Sequence, residues 1–282
     1  MTTANPALRP VRNPRDRRKR SPYTRWFRRN EPLYLGLTGI VTFVAVWEIG
    51  SRVGIIDSFF FSKPSDILLA AIREVQIPRF WGDVRVSVFE LVVGYVIAVV
   101  LAIPLGLIFG WYRRLSYMAD PWLNLFNSLP RIALIPLLVL WLGLGVESKI
   151  AVVFLGVFFS VIIPTVQGVR TVDRRLLDVA RSFRASQRRV FTSVVAPATV
   201  PYIVTGLRLG IGRGLIGVIV GELYSQTTGL GVMIVRANEN IQPDRMFFGI
   251  FIFTAAGILA VVGLGRIQRR FDRWRPRREE NA

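Results

Sequence analysis

The sequence has 282 residues, 52% of them hydrophobic, and a positive mean hydropathy of +0.43. It contains no cysteine and no histidine, which excludes disulfides, thiol chemistry and the commonest general base and metal ligand, so we expect neither a metal site nor a catalytic residue. A net charge of +19 is typical of nucleic-acid binding in a soluble protein, but basic loops explain it in a membrane protein, and no nucleic-acid partner is expected.

Residues 1–31 form the first segment of the chain. They carry ten arginines and lysines, several prolines and few apolar side chains, which predicts a disordered basic cytoplasmic arm at an anionic membrane lipid surface. The apolar block Leu33–Ile49 that follows is close to the length of a signal peptide, but no small-residue cleavage site comes after it. We interpret this block as a retained first membrane span.

Apolar blocks continue along the chain. A bilayer core of roughly 30 Å needs about 20 apolar residues in a helix. Three later blocks are free of charge over that length, whereas two others contain arginine. The predicted fold is therefore all-α and polytopic, with six transmembrane helices in one domain over residues 32–265, followed by a basic cytoplasmic tail over residues 266–282. The five later spans are Leu91–Tyr112, Pro121–Leu144, Ile150–Val169, Val200–Leu223 and Met246–Gly265.

Lysines and arginines are unevenly distributed between the two sides of this six-span arrangement. The side with both termini holds 26 of the 37 basic residues, the other side holds eight, and three lie inside spans. Because basic loops stay in the cytoplasm, this distribution predicts a multi-pass protein of the cell inner membrane with both termini cytoplasmic.

The loop between the fourth and fifth spans has an amphipathic helical pattern. Leu176, Ala180, Phe183 and Val190 recur at helical spacing and are predicted to share one face, while Ser186 is placed to cap a second short helix. The pattern alone fits two arrangements equally well. The helices could lie in the membrane interface with arginines toward lipid phosphates, or dock their apolar face into a groove on a cytoplasmic partner.

This loop resembles the signature of the permease subunits of binding-protein-dependent ABC importers. That signature reads Glu-Ala-Ala, three residues, Gly, nine residues, then Ile-x-Leu-Pro. The chain has Asp178-Val-Ala180, three residues, Arg184, nine residues, then Val194-Val-Ala-Pro197, so every interval matches. The resemblance favours the docking interpretation and covers residues 30 to 272. The stretches that look like the nitrate/sulfonate/taurine-type branch are Ser128–Gly145, Val179–Ser186, Ala196–Arg208 and Gly229–Gly231.

The resemblance implies a type I ABC importer permease fold and a set of partners. These are an ABC ATPase subunit, a second permease copy (a homodimer is expected) and a periplasmic or lipid-anchored solute-binding protein. It further implies a coupling loop over residues 170–198 that contacts the ATPase, and a small anionic solute such as a sulfonate, taurine or nitrate. The coupling residues that it implies are Asp178, Val179, Ala180, Phe183, Arg184, Ala185 and Pro197.

Arg184 departs from the signature, which has glycine at this position. Glycine takes positive φ freely and so permits a tight turn. Either the turn here uses ordinary dihedrals, or Arg184 contacts the partner.

No lysine of this chain completes a phosphate-binding loop. Such a loop ends in Gly-Lys-Ser/Thr, whereas Lys19, Lys63 and Lys149 follow arginine or serine. We therefore expect no cofactor and no enzymatic activity on this chain, with ATP and Mg²⁺ on the partner ATPase. The alternative classes are a self-sufficient secondary transporter or channel, and a membrane anchor that only recruits a partner.

Charged residues inside spans are candidates for a translocation path, because intramembrane charge usually faces the bundle interior or water. Arg131 could instead bond carbonyl groups freed by neighbouring prolines, and Glu222 could form a structural ion pair. The predicted path residues are Ser128, Pro130, Arg131, Arg213 and Glu222.

Glycines recur along the fifth span at steps of four, four, three and four, which makes one stripe for close helix packing. The pattern leaves open whether the stripe meets a neighbouring span or a second copy. The stripe consists of Gly206, Gly210, Gly214, Gly217 and Gly221.

Overall fold

A computed structural model describes residues 22–57 and 59–271 of the chain, and the side chains of residues 31–57 and 59–266. Over these residues the protein is α-helical without a strand, as the apolar blocks predict. The chain divides into two units, with the boundary between residues 58 and 59. Most of the predicted N-terminal arm and tail lies outside the described residues.

The first unit contains helix α1 (Pro22–Val53), whose residues 31–53 are long and apolar enough to cross a membrane. The helix ends in a tight turn at Gly54, which has a φ of 84°. In this turn the Ile56 amide donates to the Gly50 carbonyl over 3.1 Å. The first predicted span is therefore confirmed as a helix.

The second unit contains ten further helices among the described residues. Of these, α3, α6 and α11 are each long and apolar enough to span a membrane, and so is the continuous segment 187–225 that joins α8 to α9. A π-helical turn at Phe191–Val195 links α8 and α9. The helices are α2 (Pro64–Val75), α3 (Pro78–Trp111), α4 (Arg113–Ser128), α5 (Ile135–Leu142), α6 (Val146–Arg170), α7 (Arg174–Ser182), α8 (Gln187–Val190), α9 (Ala196–Ser225), α10 (Leu230–Glu239) and α11 (Pro243–Phe271).

The third predicted span differs from the expected single helix. Helix α4 and the segment 131–142 meet at an angle of 88°, so five of the described helical segments can each cross a membrane, and the bent pair can supply a sixth span. Leu129 is extended, with a φ of −67° and a ψ of 134°, because the proline ring of Pro130 disfavours a helical conformation in the residue before it. A short 3₁₀ turn, Arg131–Leu134, then leads into α5.

Helices α3, α6 and α9 form the core of the second unit. Helix α6 runs parallel to α3 and antiparallel to α9, and its buried valines Val153, Val157 and Val161 lie between them. The glycine stripe of α9 packs on α6: a Cβ added at Gly206 or Gly217 would lie 3.0 Å from a backbone Cα of α6. The stripe therefore contacts a neighbouring span of the same chain.

Helix α3 carries a second stripe of small residues, which also faces α6. Its members recur every four residues and are buried or closely packed, so the two backbones approach as they do between α6 and α9. The stripe consists of Gly94, Ala98, Ala102, Gly106 and Gly110.

Candidate functional site

A cavity of about 400 Å³ lies between the 3₁₀ turn, α6 and α9. It brings together both predicted path arginines, Arg131 and Arg213, although 81 residues lie between them in the sequence. None of the described residues that line it is acidic. The lining residues are Asn127, Leu129, Pro130, Arg131, Ile132, Ile135, Val152, Gly156, Arg213, Ile216, Gly217 and Val220.

Arg131 is held in place by neighbouring protein groups. Its guanidinium donates to the side-chain oxygen of Asn127 over 2.9 Å and to the Gly156 carbonyl over 3.3 Å, and it lies 5.5 Å from the centre of the Phe159 ring. The acceptors are thus an amide of α4 and a carbonyl of α6, whereas the carbonyls next to Pro130 and Pro136 do not accept from it. Arg131 both anchors the bend and faces the cavity.

The guanidinium of Arg213 is less constrained than that of Arg131. It is exposed in the single chain and makes no hydrogen bond or ion pair with another described residue. Its backbone is fixed by close helix packing, because a Cβ at Gly156 would lie 3.0 Å from the Arg213 carbonyl oxygen. Arg213 therefore presents a free positive charge on a rigid wall of the cavity.

Two of the predicted path residues lie outside the cavity lining. The Ser128 hydroxyl donates to the Asn124 carbonyl over 2.9 Å at the end of α4. Glu222 is fully buried near the C-terminal end of α9, where its carboxylate accepts from the Ser87 hydroxyl and from the Gly231 amide, each over 2.5 Å. These contacts place Glu222 in a polar cluster separate from the two arginines.

This polar cluster binds the N-terminus of α10 to α3 and α9. The first amides of α10 have no partner inside the helix, and side chains of other helices accept from them. The Leu230 amide donates to the Ser87 hydroxyl over 2.9 Å, and the Gly229 amide donates to Asp83 over 3.0 Å. A Cβ at Gly229 would overlap the Glu222 carboxylate, and Gly229 has a φ of 125°. The two glycines of the Gly229-Leu-Gly231 motif thus leave space for the buried Glu222 side chain.

The same cluster contains a buried ion pair. Lys149 Nζ lies 2.8 Å from Glu90 Oε1 and donates to the Thr228 carbonyl over 2.9 Å, and the side chains of Lys149 and Glu90 are 1% and 0% exposed. The predicted span begins at Ile150, whereas α6 begins at Val146, so Lys149 lies in the first turn of the helix and not in the connection before it. The sequence did contain a signal for this polar cluster, because Asp83, Ser87 and Glu90 recur at helical spacing on one face of α3.

The predicted coupling loop forms two short helices. The Asp173 carboxylate caps α7 by accepting from the Arg175 amide over 2.9 Å, and the Ser186 hydroxyl caps α8 by accepting from the Arg189 amide over 3.4 Å. The Ser186 cap is therefore confirmed. Val190 is buried while Leu176 and Phe183 are exposed, so the prediction that Val190 shares one face with them is wrong. The reason is that α8 continues through the π turn into the packed span α9.

The implied contact residues lie mostly on the surface of this helix pair. Phe183, the C-cap of α7, is 83% exposed, the highest value of any large apolar side chain among the described residues. Val179 and Pro197 are also exposed, whereas Ala180 and Ala185 are half-buried. Asp178 is exposed and forms an ion pair with Arg181 over 3.3 Å.

Arg184 occupies the left-handed position of the turn after α7, with a φ of 52°. The Ala185 amide donates to the Ala180 carbonyl over 3.1 Å, and the Arg184 amide donates to the Arg181 carbonyl over 2.8 Å. This is the Schellman pattern, in which glycine is the usual residue. The turn therefore keeps the geometry of the signature glycine, although an arginine there raises its free energy by about 1–2 kcal/mol.

Comparison with known proteins agrees with this architecture. The family described as "Binding-protein-dependent transport system inner membrane component" matches residues 102–275. A protein of Bacillus subtilis (strain 168) named "Putative aliphatic sulfonates transport permease protein SsuC" is 30% identical over 85% of this chain and 87% of its own length. Its namesake in Escherichia coli (strain K12) is 31% identical over 91% and 96% of the two chains.

A second kind of relative is "Taurine transport system permease protein TauC" of Escherichia coli (strain K12). It is 29% identical over 85% of this chain and 89% of its own length. The resemblance inferred from the coupling loop and its neighbouring stretches is thereby confirmed. The chain belongs to the family of binding-protein-dependent transport system inner membrane components, and it is an ABC transporter permease.

Proposed function

We propose that this chain forms half of the translocation path of an ATP-driven importer for a small anion, such as a sulfonate, taurine or nitrate. The observation that carries the proposal is the cavity that brings Arg131 and Arg213 together. Fixed positive charge in a membrane cavity favours anions and repels cations. The names of the sulfonate and taurine relatives point to the same class of solute.

A second copy of the chain is the expected cover for this cavity. Large apolar side chains around it, such as Ile132 and Ile216, are about half exposed in the single chain. Lipid covering them would leave the Arg213 guanidinium facing hydrocarbon, which is unfavourable by about 2.5–3.5 kcal/mol on insertion scales. A second permease copy, most simply a homodimer, would instead enclose a wet path between two charged walls.

The exposed face of α7 and α8 is the proposed contact with a separate ATPase subunit. Phe183 is the aromatic anchor, because a large exposed ring at the end of a short helix fits a groove on a partner. In this arrangement both termini and residues 170–198 are cytoplasmic, and a solute-binding protein delivers solute at the opposite end. ATP and Mg²⁺ bind the ATPase, and this permease does no covalent chemistry.

The path assignment is tested by uptake into proteoliposomes containing the assembled importer. Arg213→Gln is expected to lower anion uptake at least about tenfold, because it removes the free charge facing the solute. Arg131→Gln is expected to lower both uptake and thermal stability, since Arg131 also holds α4 and α6 together. Arg208→Gln, on the same helix outside the cavity, is the control. Full uptake in both cavity variants would show that Arg131 and Arg213 have only a structural role.

The coupling assignment is tested separately with Phe183→Ala. This variant is expected to insert normally and keep its thermal stability, because the ring is exposed, but to bind the ATPase subunit at least about tenfold more weakly. Leu68→Ala is a matched control, since Leu68 is an exposed apolar residue on α2 in another part of the unit. Unchanged ATPase assembly and transport in Phe183→Ala would refute the assignment.

Family membership argues against a self-sufficient secondary transporter, a channel or a simple anchor. Secondary transporters often use buried acids as proton relays. Here Glu90 forms an ion pair with Lys149, and Glu222 accepts from Ser87 and a backbone amide, so both carboxylates already interact with groups of the chain.

A further inference from the structure

Arg184 combines a strained backbone with a side chain that makes no polar contact with another described residue. Among the described residues, only Arg184, Gln226 and Ile241 have positive φ without being glycine. The Arg184 side chain is exposed and forms no hydrogen bond or ion pair with another described residue. Asp178, the acid at the start of the signature, is already paired with Arg181. Folding of the loop therefore gains nothing from the guanidinium, and glycine would relax the turn.

The position of this side chain points toward a partner. Arg184 directly follows Phe183, the most exposed large apolar residue of the described chain. The surrounding loop, residues 173–189, contains six arginines and two aspartates, so it is strongly basic. A groove that accepts the Phe183 ring must bring its rim close to residue 184, and a basic loop is complemented by an acidic rim.

We infer that Arg184 is a specificity contact for the ATPase subunit, forming an ion pair with an aspartate or glutamate on the rim of the groove that receives Phe183. This inference rests on the proposed role of α7 and α8 in ATPase docking. Arginine suits such a contact because its planar fork can bind a carboxylate with two hydrogen bonds. The charge would restrict this permease to ATPase subunits with a matching acid, and would disfavour those that lack it.

The test uses the ATPase subunit that co-purifies with the wild-type permease, identified and then purified separately. It is titrated against permease variants in nanodiscs of neutral phosphatidylcholine at several salt concentrations. Arg184→Gly is expected to bind this ATPase about tenfold more weakly and with less dependence on salt, while the permease alone unfolds at the same or a higher temperature. Arg184→Lys keeps the charge without the fork and is expected to retain part of the salt-dependent affinity.

Arg114→Gln is the matched control. It removes one positive charge from an exposed side chain in the first turn of α4, outside the proposed docking surface of α7 and α8. Its effect on ATPase affinity is expected to be less than about twofold, as for a screened charge away from the contact. Replacing the partner acid by lysine should restore binding to Arg184→Glu and to no other variant.

Several results would overturn the inference. Wild-type affinity in Arg184→Gly would mean that the arginine is only tolerated at this position. An equal loss in Arg114→Gln would mean that Arg184 acts only through the general positive charge of the permease. A defect seen only in nanodiscs containing anionic phosphatidylglycerol would assign Arg184 to lipid headgroups. If Phe183→Ala weakens ATPase binding while Arg184→Gly does not, the proposed Arg184 ion pair is refuted, and docking through Phe183 is supported. If neither variant changes affinity, docking through this loop fails as well.

Discussion

At the scale of single residues, the buried Lys149, Glu90 and Glu222 interact with other groups of the chain, whereas the exposed Arg213 makes no hydrogen bond or ion pair among the described residues. Lys149 and Glu90 neutralise each other in the core, and Glu222 accepts from Ser87 and a backbone amide. Arg213 has no such partner among the described residues and faces the cavity. This contrast separates the structural charges from the charge that is available to a solute.

The Lys149–Glu90 pair gives a prediction about stability. Lys149→Met would leave Glu90 buried without its partner, and such a loss typically lowers the free energy of unfolding by about 3–5 kcal/mol. The double variant Lys149→Met/Glu90→Leu is expected to be more stable than either single variant, because it leaves no uncompensated charge. Thermal unfolding of the purified permease in detergent measures this. Additive losses in the double variant would show that the two side chains do not interact.

At the scale of helices, small residues determine how closely the spans approach. The α9 stripe lies against the backbone of α6, and the α3 stripe also packs on α6, with Val153 in contact with both stripes. These two close contacts explain why Val153, Val157 and Val161 have no exposed surface. In a bilayer this packing replaces the hydrophobic effect as the main source of helix association.

Two glycines of α9 allow a controlled test of this packing. A Cβ at Gly217 would lie 3.0 Å from the Val153 Cα and 3.2 Å from its amide nitrogen, whereas a Cβ at Gly212 meets nothing within 4 Å. Gly217→Ala is expected to destabilise the permease by about 1–3 kcal/mol, because a backbone cannot move aside as a side chain does.

Gly212→Ala is the control in the same helix and is expected to be neutral or slightly stabilising, since alanine favours a helix more than glycine does. The measurement is the thermal unfolding of both purified variants beside the wild type. Equal stability of the two variants would mean that the α6–α9 contact is looser than the structure indicates.

Most of the fold could be predicted because spans are local features of composition. Leu91–Tyr112 coincides with the second part of α3 except for its last residue, and Ile150–Val169 falls inside α6, since twenty apolar residues without charge need a bilayer to cover them. The bend at Pro130 was missed because hydropathy does not register a backbone break. The Lys149–Glu90 pair was missed because it depends on the register between two helices, which no single segment encodes.

The candidate site was predictable to a similar extent. Arg131 and Arg213 were identified because arginine is unfavourable within a span, but their meeting in one cavity required the packing of α9 on α6. Glu222 was identified for the same reason, yet its contacts are with Ser87 and Gly231 instead of the arginines. The turn at Arg184 could only be resolved by its φ value.

At the scale of the whole molecule, one continuous segment joins the proposed docking surface to the proposed path. Residues 187–225 begin with α8, pass through the π turn and continue as α9, which carries Arg213 and Glu222. The Phe191 ring packs edge-on against Trp111 at the π turn, with ring centres 5.4 Å apart. If the ATPase docks as proposed, a displacement of α8 would be transmitted directly to the wall of the cavity. ATP binding would then shift the equilibrium between the inward-open and outward-open states of the permease.

The orientation of this molecule in the membrane is the last prediction. The excess of basic residues on the side of the termini predicts that α7 and α8 lie in the cytoplasm and α10 lies outside. Helix α9 separates α8 from α10 and has 30 residues, about 45 Å in length, which is enough to cross a bilayer. The chain has no cysteine, so single-cysteine variants at Gln187 in α8 and Asn238 in α10 can be labelled without background. Asn238→Cys is expected to react with an impermeant maleimide in intact spheroplasts, and Gln187→Cys only after permeabilisation. Reaction of Gln187→Cys alone in intact spheroplasts would reverse the proposed orientation, and reaction of both would contradict the crossing of α9.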